Sequence, residues 1–197
     1  MPPASFDLPA HAEGPFTHFR KSQFTKPVST PKTLSLASQT AIITGSNSGL
    51  GLECARQFLA LGLERLIMAV RRPEAGMPCD TVTQLLRLIN VNLITCTGEK
   101  AATILRNQYP KATVEVWTLD MASYDSIRAF VEKCNTMKRL DIAILNSGLA
   151  MIPFSIVKET GHEEMFQVNY LSTVLLAILL LPVLKSKALK VHIFHKR

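Results

Sequence analysis

The run Thr44-Gly45-Ser46-Asn47-Ser48-Gly49-Leu50-Gly51 constrains this chain more than any other stretch, because of what flanks it. Before it, TAIIT at 40–44 is the short apolar run of a strand covered on both faces, and it stops at glycine. After it, Leu52, Ala55, Phe58 and Leu59 recur at the spacing of a helix. A strand that passes through a tight turn into a helix aims backbone N–H groups and the positive end of the helix dipole at one point, where a pyrophosphate can be held. The glycines have separable tasks: Gly45 permits the sharp exit from the strand, Gly49 lets the backbone approach the phosphates, and Gly51 lets the helix pack closely on the sheet. Glycines also make ordinary loops, so it is their place between strand and helix that selects phosphate binding.

The alternation continues along the chain. LIMAV at 66–70 and VEVWTLD at 114–120 read as strands, Tyr124 to Met137 as a helix, and DIAILN at 141–146 as a fourth strand. A further helix is predicted from about Glu163 to Leu184, opening polar and becoming almost wholly apolar, so it must be covered on most sides. VHIF at 191–194 could begin a fifth strand. Strands alternating with helices imply parallel strands and right-handed crossovers: an α/β, doubly wound parallel sheet of the Rossmann type, incomplete on its C-terminal side. A chain of 197 residues, 47% hydrophobic and 19% charged, can bury one core. That core is expected in residues 39–197, a cofactor-binding domain. Residues 1–38, which hold six of the 11 prolines, are expected to form an extended Pro-rich arm.

A net charge of +7 raises the question of a nucleic-acid surface. Lys and Arg equal Asp and Glu in number between residues 39 and 184, however, and the excess lies at the two ends. No folded basic face is indicated, and no nucleic-acid partner is expected. Cys54, Cys79, Cys96 and Cys134 lack C-x-x-C spacing, and the N-terminus lacks the basic and apolar regions of a secretory signal. Free thiols in a reducing, cytoplasmic compartment are expected. The most apolar run, Tyr170 to Leu184, contains Pro182 and falls short of the ~20 residues of a membrane span, which predicts a buried helix and no span. The helix at 163–184 could also join a second copy of the chain in a homo-oligomer.

Four segments together carry a family resemblance. T-G-x-x-x-G-x-G at 44–51 is similar to the glycine motif of the short-chain dehydrogenases/reductases, rather than to the commoner G-x-G-x-x-G. Asp120, ending the third strand, resembles the family's aspartate near the adenine, and Asn146-Ser147-Gly148 resembles its Asn-Ala-Gly segment. Asn169, in FQVNYLSTVLL, resembles the helix asparagine of the family's Asn-Ser-Tyr-Lys tetrad. The segments stand in family order, and that order is more specific than any one of them. Singly, each residue also has an ordinary reading: Asp120 as a strand-end cap, Asn146 as a turn residue, Asn169 as a polar residue at a helix kink. The resemblance implies a nicotinamide cofactor held at Thr44, Gly45, Ser48, Gly49, Leu50, Gly51, Asp120 and Asn146, with Asn169 catalytic. Where NAD-selective members carry an acidic residue after the second strand, this chain has Arg71 and Arg72, which suit the 2′-phosphate of NADP; the plainer reading is a solvated loop. NADP is the expected cofactor, and a small-molecule carbonyl or alcohol the expected substrate.

The chain departs from the family pattern twice. Residues 77–97, MPCDTVTQLLRLINVNLITCT, form an atypical insertion, apolar without clean periodicity, and joining PEA to GEKAA restores the pattern. Codons for Gly76-Met77 can contain a GT donor and those for Thr97-Gly98 an AG acceptor, so the stretch reads as a translated intron or as a genuine insertion beside the cofactor cleft. The catalytic Ser and Tyr-x-x-x-Lys are not identifiable either: four residues after Tyr109, Tyr124 and Tyr170 stand Thr113, Arg128 and Val174. His192 and His195 lie in a basic tail and are assigned no role. The resemblance therefore implies NADP-dependent hydride transfer by a protein whose catalytic Ser and Tyr-x-x-x-Lys are missing from the chain given. The alternative is a non-catalytic cofactor-binding remnant or an interaction module.

Overall fold

The computed structural model describes residues 34–73, 97–150 and 154–188, the backbone of 192–195, and Thr17, Arg20, Lys21, Phe24 and Thr25. The chain divides into two compact units, Met1–Leu34 and Ser35–Arg197. In the first, Thr17, Arg20, Lys21 and Phe24 have helical backbone where an extended arm is expected, and the Thr25 hydroxyl donates to the Lys21 carbonyl at 2.7 Å. The rest of that predicted arm, up to residue 33, lies outside the described residues.

The second unit is built on a parallel sheet in the order β3-β2-β1-β4-β5, formed by β1 (Thr40–Thr44), β2 (Arg65–Val70), β3 (Thr113–Thr118), β4 (Ile142–Leu145) and β5 (His192–His195). Every residue of β1 is buried, which is why TAIIT shows no polar alternation: a central parallel strand is covered on both faces. Its side chains feed two cores in turn. Ile42, Ile67, Ala143 and Leu145 pack with α3 (Tyr124–Asn135) and α4 (Glu164–Lys187). Ala41, Ile43, Leu66, Met68 and Ile142 pack with α1 (Gly49–Ala60) and α2 (Gly98–Gln108). Burying each such Ile or Leu stabilises the fold by ~1.5–3 kcal/mol, so the core favours this register: a one-residue slip would exchange the two faces. Helices on both faces make the doubly wound architecture that the alternation predicts. Strand order reverses at β1, with β2 on one side and β4 on the other, and a crevice forms beyond the carboxyl ends at such a point.

Two elements differ from expectation in their bounds. α4 runs over Glu164–Lys187 rather than 163–184 and contains a π turn at Gln167–Leu171. By length and composition it is long and apolar enough to cross a membrane, unlike the Tyr170–Leu184 run alone; a core helix passes the same test, and this one buries Leu176, Leu180, Val183 and Leu184 in the core with α3. It continues through Pro182, which has no N–H to give to the Ile178 carbonyl one turn back. The fifth strand, expected at 191–194, is β5 at His192–His195, paired parallel with β4 from Ile142↔His192 to Leu145↔His195.

α2 begins at Gly98, directly after the predicted insertion. The Gly98 N–H donates to the Arg72 carbonyl at 3.2 Å and the Glu99 N–H to the Pro73 carbonyl at 3.0 Å, so the two ends of the β2–α2 connection touch. A Cβ on Gly98 would stand 2.7 Å from Val70 Cγ2 and 2.8 Å from Val116 Cγ1, which is why this helix start is a glycine. The insertion itself, apart from Thr97, lies outside the described residues.

Candidate functional site

The carboxyl ends of β1 and β4 are joined by a hydrogen-bonded knot. The Thr44 hydroxyl, fully buried, accepts the N–H groups of Asn146 and Ser147, each at 2.9 Å. In return the Asn146 side-chain amide donates to the carbonyls of Thr44 at 3.1 Å and Gly45 at 3.4 Å. Thr44 and Asn146 thus hold the glycine turn against the segment after β4. Gly45 leaves β1 at φ 65°, and its N–H donates to Ala69 on β2 at 2.9 Å. Gly51 abuts the knot from the helix side: a Cβ there would lie 2.4 Å from the Gly45 carbonyl oxygen and 2.6 Å from Asn146 Nδ2.

Gly49 is different. It has φ 55°, yet a Cβ built on it would meet nothing within 4 Å. The space over the turn is open. Ser48, the N-cap of α1, is extended and makes no side-chain capping hydrogen bond, and no acidic residue stands in the first turn. Leu50 is 66% exposed on the lip. A helix start whose N-cap side chain makes no capping bond and whose first turn carries no carboxylate suits an anion, through its N–H groups and dipole.

Asp120 follows β3, and its Oδ1 accepts the Ala122 N–H at 2.9 Å while its own N–H donates to Ser126 Oγ at 2.9 Å. It is therefore a turn-holding residue, as its plainer reading has it, on the same edge of the sheet as the glycine turn. Asn169 lies in the π turn of α4. Its Oδ1 accepts the Leu149 N–H and its Nδ2 donates to the Leu149 carbonyl, both at 2.8 Å. Both ends of the amide thus brace the loop after β4, which is a positioning role.

The model of the short chain dehydrogenase family matches residues 74–190. The chain belongs to the short-chain dehydrogenase/reductase family. It is 47% identical over 165 residues to a short chain dehydrogenase of Hypocrea virens, covering 84% of this chain and 42% of that one. A short chain dehydrogenase/reductase of Annulohypoxylon moriforme is 47% identical over 175 residues, covering 88% and 44%. The chain therefore spans less than half the length of these two fungal relatives. Among solved structures, it is similar to an alcohol dehydrogenase of the archaeon Thermococcus sibiricus complexed with 5-hydroxy-NADP, at 25% identity and a TM-score of 0.51 over 75% of this chain and 54% of that one.

In this member of the family, Arg71 is exposed and Arg72 half-buried just past β2, one and two residues beyond Val70 and on the glycine-turn side of the sheet. The parallel register places Thr44 beside Ala69, so both guanidinium groups start from the rim of the same crevice. Sequence reasoning missed Gln167, a buried polar residue in α4, and the only signal for it is an amide flanked by apolar residues in FQVNYL. The two cysteines among the described residues, Cys54 and Cys134, are free thiols. Burial pushes the Cys54 thiol up, and it pushes Cys134 up to about 12, with Lys133 opposing.

Proposed function

We propose that this chain is the cofactor-binding part of an NADP-dependent short-chain oxidoreductase acting on a small carbonyl or alcohol. The observation that carries the reading is the open cradle at Gly49: a left-handed backbone with empty space above it, beside a helix start whose N-cap, Ser48, makes no side-chain capping hydrogen bond. A pyrophosphate fits there. The backbone of Gly45 to Gly51 and the N-terminus of α1 would hold it, and Arg71 and Arg72 would hold a 2′-phosphate, which a carboxylate at the same place would repel. Asp120 borders the adenine end of this reading, and Asn169 keeps the loop after β4 in position. When bound, the nicotinamide supplies a hydride to a carbonyl or takes one from an alcohol. The archaeal relative complexed with 5-hydroxy-NADP supports the cofactor class.

These residues bind and orient. Proton transfer is assigned to none of them, because no tyrosine in the chain is followed four residues later by lysine. Calorimetry with NADPH and NADH tests the cofactor. NADPH is expected to bind more tightly by about tenfold or more, the effect of one charge-assisted hydrogen bond, and Arg71→Asp to remove or reverse the preference. Equal affinities in the wild type and the variant would overturn the assignment of NADP.

A further inference from the structure

Gln167 and Asn169 share one π turn yet hold different loops. The Gln167 side chain, 0% exposed, donates from Nε2 to the Ala122 carbonyl at 2.7 Å, and its Oε1 accepts the Thr160 hydroxyl. Five residues on, the buried Ser172 hydroxyl donates to the Met121 carbonyl at 2.5 Å. In an α-helix, at about 100° per residue, side chains five apart point about 140° from one another. In a π turn each N–H reaches back five residues, as Ser172 N does to the Gln167 carbonyl, so the two side chains come onto one side of the helix. The Thr173 hydroxyl, donating to the Val168 carbonyl at 3.0 Å, supports the same step. Gln167 and Ser172 therefore reach the same loop, Met121–Ala122, while Asn169 faces away from them and holds Leu149.

Ala122 is the relay. Its carbonyl is held by Gln167, and its N–H donates to Asp120 Oδ1. We propose that Gln167 is a positioning residue: through Ala122 it sets the Asp120 turn, and through the π turn it couples that turn to the Asn169–Leu149 brace. The two walls of the cofactor crevice, after β3 and after β4, then move as one. This inference rests on the cofactor reading above for its purpose but not for its geometry.

Two variants separate positioning from mere support. Gln167→Met keeps the volume and loses both hydrogen bonds; Gln167→Glu keeps the acceptor for Thr160 and loses the donor to Ala122. Hydrogen exchange on the cofactor-free protein reads the coupling with no ligand present. In both variants the Ala122 N–H is expected to exchange about tenfold faster, the effect of losing one buried hydrogen bond, with a smaller rise at Leu149 and none at Trp117 in β3. Calorimetry with 2′,5′-ADP, below the melting transition, is expected to show an affinity about fivefold weaker. Faster exchange confined to residues 160–172, or a uniform rise that includes β3, would overturn the proposal, as would unchanged exchange. Should neither Gln167 variant fold, Ser172→Ala carries the same exchange prediction, since it removes the second tie to the same loop. If the wild type binds no 2′,5′-ADP, the cofactor reading fails while exchange still decides the coupling.

Discussion

At Gly51 a Cβ would collide with a backbone carbonyl 2.4 Å away, whereas at Gly49 it would meet nothing within 4 Å. Two neighbouring glycines of one motif are therefore glycines for different reasons, and substitution should separate them. Gly51→Ala must push α1 off the Thr44–Asn146 knot, and is expected to destabilise the fold by about 1–3 kcal/mol, as overpacking does. Gly49→Ala costs only the left-handed backbone, about 1–2 kcal/mol. Gly49→Val places a branched side chain in the open space, so NADPH binding should vanish while the protein still melts cooperatively. Thermal melts and calorimetry on the three variants check this ordering. Retained NADPH binding by a folded Gly49→Val protein would mean that the phosphates lie elsewhere.

Among the elements, the β2–α2 connection has the clearest consequence. Pro73 and Glu99 are hydrogen-bonded to each other at 3.0 Å, and α2 is anchored through the buried Ala101, Ala102 and Leu105. What lies between Pro73 and Gly98 is therefore closed at its base. Deleting 77–97 leaves residues 74–76 to make the connection, and at up to ~3.5 Å each they can span two ends already in contact. Cutting a connection of 24 residues (74 to 97) to 3 is three halvings of loop length, each worth about 0.6 kcal/mol, so the deletion is expected to raise stability by up to about 2 kcal/mol. Melting and NADPH titration of the deletion variant measure it. A variant that fails to fold would show that the inserted residues contribute to the core. This holds whether the stretch is a translated intron or a genuine insertion.

For the whole molecule, the proposed task of the crevice is to bind and orient, and the chain spans less than half the length of the Hypocrea virens and Annulohypoxylon moriforme relatives. We expect this chain to bind NADPH without oxidising it when mixed with a panel of ketones and aldehydes. Loss of NADPH absorbance at a rate proportional to protein concentration would show that a residue within these 197 supplies the proton, and His192 or His195 would be the first to substitute.

By itself the sequence determined the fold class and the position of the glycine turn. Both depend on local signals: TAIIT is uniformly apolar because a central parallel strand has no exposed face, and left-handed turns and close approaches select glycine. It also placed Asp120 and Asn146 just after β3 and β4, and Asn169 inside the long helix that follows. Only the tertiary structure decided what those side chains do. Thr44 meets the Asn146 N–H across 102 residues of chain, Asn169 meets Leu149 across 20, and Gln167 meets Ala122 across 45. No periodicity records such pairings, because a hydrogen bond depends on where two loops end in space and not on the spacing within either. The π turn is of the same kind: FQVNYLSTVLL reads as part of one continuous helix, and the widening at Gln167–Leu171 is visible only beside the contacts that Gln167, Asn169 and Ser172 make with two separate loops.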